Sequence, residues 1–169
     1  MATDNEIKQH IDLVNSLIKK LCIELKKAGS KHDASKLQEP EKKYFNEAGK
    51  YQYGTKEYFD SLERLRPAIN HHYQANSHHP EHHKDGVSGM TLIDLVEMYC
   101  DWRVRAKNEC EFLLNLEICQ ERFNVSDQIV EIFKNTESAV KNGTTKRNSL
   151  ERRQGRLAQK NKKCKTCNK

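Results

Sequence analysis

Residues 55–83 read TKEYFDSLERLRPAINHHYQANSHHPEHH, and two patterns meet inside them. Tyr58, Leu62, Leu65, Ile69 and His72 recur at steps of four, three, four and three, which is one face of an α-helix. Thr55 stands where an N-cap belongs, and Pro67 marks either a kink or a restart. Asn76 reads as the stop. From Ser77 to Gly89 the helical period is lost, with Asp85-Gly86 and Ser88-Gly89 as turn signals. Residues 71–83 also hold six of the eight histidines in the chain. Imidazole is the commonest protein metal ligand and titrates near neutral pH, so so dense a tract points to a metal or proton-handling site. The plain alternative is a solvated, His-rich loop.

The same helical period extends in both directions. Thr3 and Glu6 have capping-box spacing, and Ile7, Ile11, Val14, Ile18, Leu21 and Leu25 follow at steps of four and three. Gly29 is the natural stop for that helix. Pro40 precedes a short helix over 41–52 carrying Tyr44, Phe45 and Tyr51. Thr91 and Asp94 open a further helix, with Leu92, Leu95, Val96, Tyr99, Trp102 and Ala106 as its buried side. Asp94, Glu97, Asp101 and Arg105 gather on the opposite side, read as either a solvated face or the wall of a site. Helical spacing resumes through Phe112, Leu113, Leu116 and Cys119, and again from Ser126 through Ile129, Val130, Phe133 and Val140 to Asn142-Gly143. No stretch has a convincing strand period. The reading is all-α: a single domain of five or six helices over 1–143 and a basic tail over 144–169, either mobile or a marginal helix.

Composition bounds the rest. The 169 residues are enough for one domain with a core. They are 36% hydrophobic and 32% charged, and no apolar run approaches a membrane span. The N-terminus has no apolar signal region, so a cytoplasmic protein is expected, in the host cytoplasm if viral. The total charge is +6; residues 141–169 carry eleven Lys or Arg against Glu151, or +10, which leaves −4 on residues 1–140. The basic character therefore belongs to the tail and says nothing of the body's ligand. Cys22, Cys100, Cys110 and Cys119 fall in helical segments and are expected as reduced, buried thiols. Cys164 and Cys167 form one C-x-x-C with no second pair to complete a zinc knot.

Outside the His-rich tract, chemistry concentrates at His32-Asp33-Ala34-Ser35-Lys36. The adjacent His and Asp offer a nitrogen and a carboxylate to a metal such as Mn, Fe, Co, Zn or Mg. Lys36, one turn beyond Asp33, is placed to sit beside a phosphate. Its alternative is a surface lysine. His10 lies on the border of the first apolar stripe, where a packed histidine is the more frequent occupant. The helical period favours His72 over His71 as a site residue. Pro80 holds His79 extended, so at most one member of each pair, His78-His79 and His82-His83, is expected to face the site.

The order His10, His32-Asp33-x-x-Lys36, His72 and His79, then Asp101 resembles the HD-domain metal phosphohydrolases, with Ser35 where glycine is frequent. The segments HDASKL, NSHHPEHH and DLVEMYCDW also resemble a small uncharacterised family of phages and bacteria over roughly residues 5–110. The HD resemblance implies an all-helical fold and a metal site whose primary set is His10, His32, Asp33 and Asp101, with Asp94 as the alternative to Asp101. His72 and His79, or His82 or His83, would then hold a second metal or contact phosphate. It implies hydrolysis of a phosphate ester, above all a nucleotide, with Lys36 as a fixed positive charge and Glu81 or a free His as general acid or base. Glu97 and Asp101 also fit part of the pattern of the all-α nucleoside triphosphate pyrophosphohydrolases, a resemblance that leaves the histidines unexplained. Two further readings stand beside these: a non-catalytic helical protein that binds metal, and a nucleic-acid-associated accessory protein working through its basic tail.

Overall fold

A computed structural model describes residues 3–48, 50–52 and 55–140. Six helices and no strand occur among the described residues: α1 (Asp4–Lys31), α2 (Glu41–Ala48), α3 (Lys56–Ala75), α4 (Leu92–Arg105), α5 (Glu109–Phe123) and α6 (127–140). The all-α reading holds. The basic tail and its C-x-x-C lie outside the described residues. Two compact units are distinguished, the first ending at Asn124 and the second beginning at Val125. No described helix is long and apolar enough to cross a membrane.

The caps expected from sequence form. Thr3 and Glu6 close a reciprocal capping box at the start of α1, with the Thr3 backbone N–H donating to Glu6 Oε2 at 2.6 Å. Thr91 and Asp94 do the same for α4, and the Thr55 side chain accepts from the Tyr58 N–H to start α3. Asn108 caps α5. In each case one or two of the four orphaned N–H groups of the first turn are satisfied.

The first helix departs from expectation in two ways. It runs through Gly29 to Lys31, and the left-handed residue that follows a helix end is Asp33, at φ 55°. None of its residues is buried, and Ile7, Ile11, Val14 and Ile18 remain 43–51% exposed. Twenty-eight residues make a rod about 42 Å long, which packs on α4. Glycine tolerates a helix interior at modest cost, so it stops a helix only where a left-handed residue is required.

The first unit is built on α3. Helix α2 packs along it, and a 3-10 turn at Ala34–Leu37 touches both. Pro67 does not interrupt α3, which is continuous over its 20 residues. Its buried face carries Ser61, Leu65, Ala68, His72 and Asn76, so the histidine does continue the inward stripe. The buried apolar groups of α4 and α5 are Met98, Tyr99, Phe112 and Leu116, with the Tyr99 and Phe112 rings edge to face at 5.9 Å. Leu92, expected inside, is 61% exposed: α4 is turned so that Asp94 and Met98 face inward. Three of the four helical cysteines expected to be buried, Cys22, Cys100 and Cys110, are exposed, and Cys119 is half-buried. In the second unit Val130, Phe133 and Glu137 share the buried side of α6.

Three segments therefore converge: the end of α1, the end of α3 with the loop after it, and the middle of α4. The loop makes two 3-10 turns, Pro80–His82 and Gly86–Gly89. Its tight packing is visible at Gly89, where a Cβ would lie 2.9 Å from the His83 Cβ.

Candidate metal centre

Asp33 is the hinge of the site. It ends α1 in the left-handed region, which Asp tolerates better than most residues, and that backbone turn carries its carboxylate toward α3 and α4. His72 Nε2 stands 3.2 Å from Asp33 Oδ1 and 2.9 Å from His79 Nε2. His78 Nε2 is 3.6 Å from the same Asp33 oxygen. Two donors bonded to one ion at about 2.1 Å stand about 3.0 Å apart at a right angle and about 3.4 Å at the tetrahedral angle. The observed separations of 2.9, 3.2 and 3.6 Å match the edges of such a polyhedron.

Two of these atoms give an independent sign of a missing partner. Asp33 Oδ1 and His78 Nε2 are buried with no hydrogen-bond partner among the described residues. Burying unsatisfied polar atoms costs free energy, and here both face one point. Asp33, His72, His78 and His79 form a set that can hold an ion; His32, Asp33 and Asp101 form a second, adjoining one. In the second, His32 Nε2 is 3.6 Å from Asp33 Oδ2 and 3.5 Å from Asp101 Oδ1. The two Asp33 oxygens thus face different sets.

Two buried or half-buried carboxylates prepare the imidazoles. Glu41 is 0% exposed. Its Oε2 lies 2.9 Å from His72 Nδ1 and accepts from Ser35 Oγ at 3.0 Å, and its Oε1 lies 2.7 Å from His71 Nδ1. Asn76 Nδ2 donates to Ser35 Oγ and to the His72 carbonyl, both at 2.8 Å. With every other donor spent in this way, the His72 proton belongs on Nδ1, and Nε2 presents its lone pair to the cluster. Glu97 Oε1 acts on the other side, 2.9 Å from His32 Nδ1 and 3.2 Å from His78 Nδ1. Although Glu97 groups with His32 and His78 as a metal-capable trio, that trio uses the outward nitrogens. Carboxylates that orient ligating histidines in this manner recur around protein-bound metals.

The electrostatics agree with a set of neutral nitrogens around an ionised carboxylate. Burial pushes the His79 imidazole down to about 3, with the neighbouring His78 and His72 adding to the effect. Burial also lowers His78, against the opposing pull of Glu97. Burial alone would raise Asp33, but the hydrogen bond and the charge of Lys36 hold its carboxyl far below the usual range. Burial likewise opposes ionisation of Glu41, and its bonds from His71, Ser35 and His72 outweigh it.

Of the residues singled out in the sequence, His32, Asp33, His72, His79 and Asp101 are brought together. His10 is not. It lies 22 positions before His32 on uninterrupted α1, about 33 Å along the axis, and takes no part in any metal-capable group. Lys36 Nζ donates to Asp33 Oδ2 at 2.6 Å. Glu81 stays outside the cluster, 3.1 Å from Arg122, but lines a pocket shared with His79 and Asp101. Asp94 is committed elsewhere: it accepts from Thr91 and from Ser77 Oγ at 2.5 Å. His82 and His83 pin the loop to the Tyr73 and Ser77 carbonyls. His78 joins the cluster beside His79, against the expectation of one per pair, because Ser77 and His78 form a turn rather than an alternating extended strand; their rings lie 4.2 Å apart.

Among the described residues, three openings reach the cluster. An apolar one of about 340 Å³ lies between α1 and α4, lined by Leu25, Val96, Cys100 and Val104, with His32, Glu97 and Asp101 at its polar end. A second of about 220 Å³ reaches His79 and Asp101 from the α5 side. A third of about 590 Å³ reaches His78 and Glu97 past Asn76 and Thr91. The centre is walled by protein yet accessible to a small molecule.

No curated protein and no solved structure matches the chain. A family model does match it, over residues 1–163, and the chain belongs to that family, described as a family of unknown function (DUF5662).

Proposed function

We propose that the protein is a metal-dependent phosphohydrolase acting on a phosphate ester. The observation that carries this reading is the pair of buried, unpartnered atoms, Asp33 Oδ1 and His78 Nε2, beside the Nε2 atoms of His72 and His79. Three imidazoles and one carboxylate favour Mn, Fe, Co or Zn over Mg, which prefers oxygen donors and retained water. The order of the ligating segments along the chain resembles that of HD-domain phosphohydrolases. This resemblance supplies the reaction class; the donor set supplies the metal.

Asp33, His72, His78 and His79 would hold the divalent ion, which would supply a more acidic coordinated water and positive charge beside the phosphoryl oxygens. The chain's own residues do the remainder. Glu41 and Glu97 keep the His72, His78 and His32 protons on Nδ1, so that the inward nitrogens stay available. Lys36 brings a fixed charge to the edge of the cluster, 2.6 Å from Asp33 Oδ2. Glu81, on the rim of the pocket that contains His79 and Asp101, is the carboxylate placed to exchange a proton. In the reaction, water oxygen bonds to phosphorus, the ester P–O bond breaks, and the departing oxygen takes a proton.

The test compares wild type, purified without a polyhistidine tag, with His78→Ala and His72→Ala. Elemental analysis gives metal per chain, and phosphate release is followed on a panel of nucleotides and p-nitrophenyl phosphate with added Mn, Co or Zn. Near-stoichiometric metal with turnover in wild type, and loss of both in the variants, supports the reading. Metal without turnover on any ester sinks the hydrolase and leaves a metal-binding protein.

A further inference from the structure

The pocket of about 220 Å³ on the α5 side has a composition unlike the other two. It is lined by Tyr73, His79, Glu81, Asp101, Arg105 and Arg122, with Trp102 and Phe123 among the remaining walls. Two of these, His79 and Asp101, belong to the metal-capable sets, so whatever enters the pocket meets the metal ligands. Two others are arginines carried on different helices, one in the last turn of α4 and one in the last turn of α5.

Each arginine is held in place with donors to spare. Arg105 grips Asp101 with Nε and Nη2, both at 3.1 Å. Among the described residues, Arg122 uses Nη2, 3.1 Å from Glu81 Oε1 and 3.4 Å from the Tyr73 hydroxyl, while its guanidinium lies 4.6 Å over the Phe123 ring. A guanidinium has five N–H donors in a fixed fork, so most of those on Arg122 and several on Arg105 are uncommitted among the described residues. The Tyr73 hydroxyl is a further donor, and burial together with Glu81 raises its pKa, which keeps it protonated. Donors from three side chains around one small cavity suit a tetrahedral anion with several peripheral oxygens better than a planar carboxylate.

We propose that this pocket binds the phosphoryl group of the substrate, with Arg122, Arg105 and the Tyr73 hydroxyl holding its outer oxygens and one oxygen directed at His79 and Asp101. Glu81 is then the occupant of Arg122 in the empty pocket, and an incoming phosphoryl group displaces it. The proposal rests on the metal-centre reading for what lies at the floor of the pocket. The arginine grip is separable from it and is tested separately.

The experiment is calorimetric titration of the full chain with inorganic phosphate, with acetate as the carboxylate control, and with metal per chain measured on every sample. Arg122→Gln is expected to weaken phosphate binding about tenfold or more, since it removes charge-assisted bonds, while metal content stays at the wild-type level. Arg122→Lys keeps the charge but loses the fork and falls between the two. Glu81→Gln removes the competitor and is expected to tighten phosphate binding about threefold, an effect that a merely structural Glu81–Arg122 pair would not give. Phosphate binding unchanged in both Arg122→Gln and Glu81→Gln, absent in wild type, or matched by acetate overturns the proposal. If wild type carries no metal, the hydrolase reading fails, and the phosphate comparison among the same variants still decides the pocket.

Discussion

Glu41→Gln is the most informative single change. Glu41 is 0% exposed and belongs to no metal-capable group itself; its influence runs through His72 Nδ1 at 2.9 Å. The amide keeps the shape and removes the charge. Its oxygen can still accept from His72 and Ser35, while its nitrogen must face His71, whose exposed ring can switch tautomer to receive it. The metal-free protein should therefore lose about 1–3 kcal/mol, the cost of weakened buried hydrogen bonds. Removing a carboxylate that orients a ligating histidine typically lowers metal affinity about 10- to 100-fold, or roughly 1.4–2.8 kcal/mol. Metal binding stabilises the fold by mass action, so the metal-induced rise in melting temperature should shrink by roughly 5–10 °C in a unit of this size. The assay is a pair of melting curves, with and without Mn or Co, for wild type and variant, alongside a chelator competition for affinity. The difference of differences removes the metal-free penalty. A variant that melts lower yet binds metal within threefold of wild type would refute the argument, because Glu41 would then serve the fold alone.

Two other expectations address neighbouring claims. Asp94→Asn should cost about 1–2 kcal/mol through the α4 capping box and the Ser77 tether. Burial opposes ionisation of Asp94, but bonds from Ser77 and Thr91 hold its pKa below the usual 3.8; the stability it contributes is present above that value and is lost as pH falls through the folded one. The acid limb of a denaturation-against-pH curve should accordingly be flatter in the variant, and an unchanged limb would count against the assignment. His10→Ala should leave metal content untouched and stability within about 0.5 kcal/mol; loss of metal would mean that α1 does not run straight from Thr3 to the site.

The helices were legible because their signals are local. Thr3 with Glu6, Thr55, and Thr91 with Asp94 each sit within four residues of the groups they cap, and the apolar periods of α1, α3 and α5 repeat within one turn. The HD doublet and the His-rich loop were legible as chemistry for the same reason. Glu41 was not: in the run Glu39-Pro40-Glu41-Lys42-Lys43 it looks like any acid in the first turn of a charged helix, and only the pairing of α2 with α3 buries it. Glu97 stood in an acidic stripe that sequence left divided between solvent and site wall; packing of α4 against the end of α1 decides it. His78 was lost to an assumption of alternation that a turn does not obey. The placement of His10 failed for a different cause, since a resemblance in residue order carries no helix lengths.

Asp33 joins the two levels, and a pair of substitutions can separate them. It terminates α1 from the left-handed region at φ 55°, where Asn is as comfortable as Asp but alanine is strained by roughly 1–2 kcal/mol. It also directs one oxygen to each metal-capable set. Asp33→Asn removes the charge and leaves the backbone; Asp33→Ala removes both. If the backbone role and the ligand role are independent, the two variants should lose metal equally, while the alanine form is less stable than the asparagine form by about that strain energy. Equal stability would show that the turn is set by the segments around it. Metal retained in Asp33→Asn would be more damaging, because the amide keeps a carbonyl oxygen in place of Oδ1 but not the negative charge. A centre of three neutral imidazoles and a neutral amide has no anionic counterweight to a dication at its heart, so retention would move the ligand role to Asp101 and leave Asp33 as the residue that turns the chain.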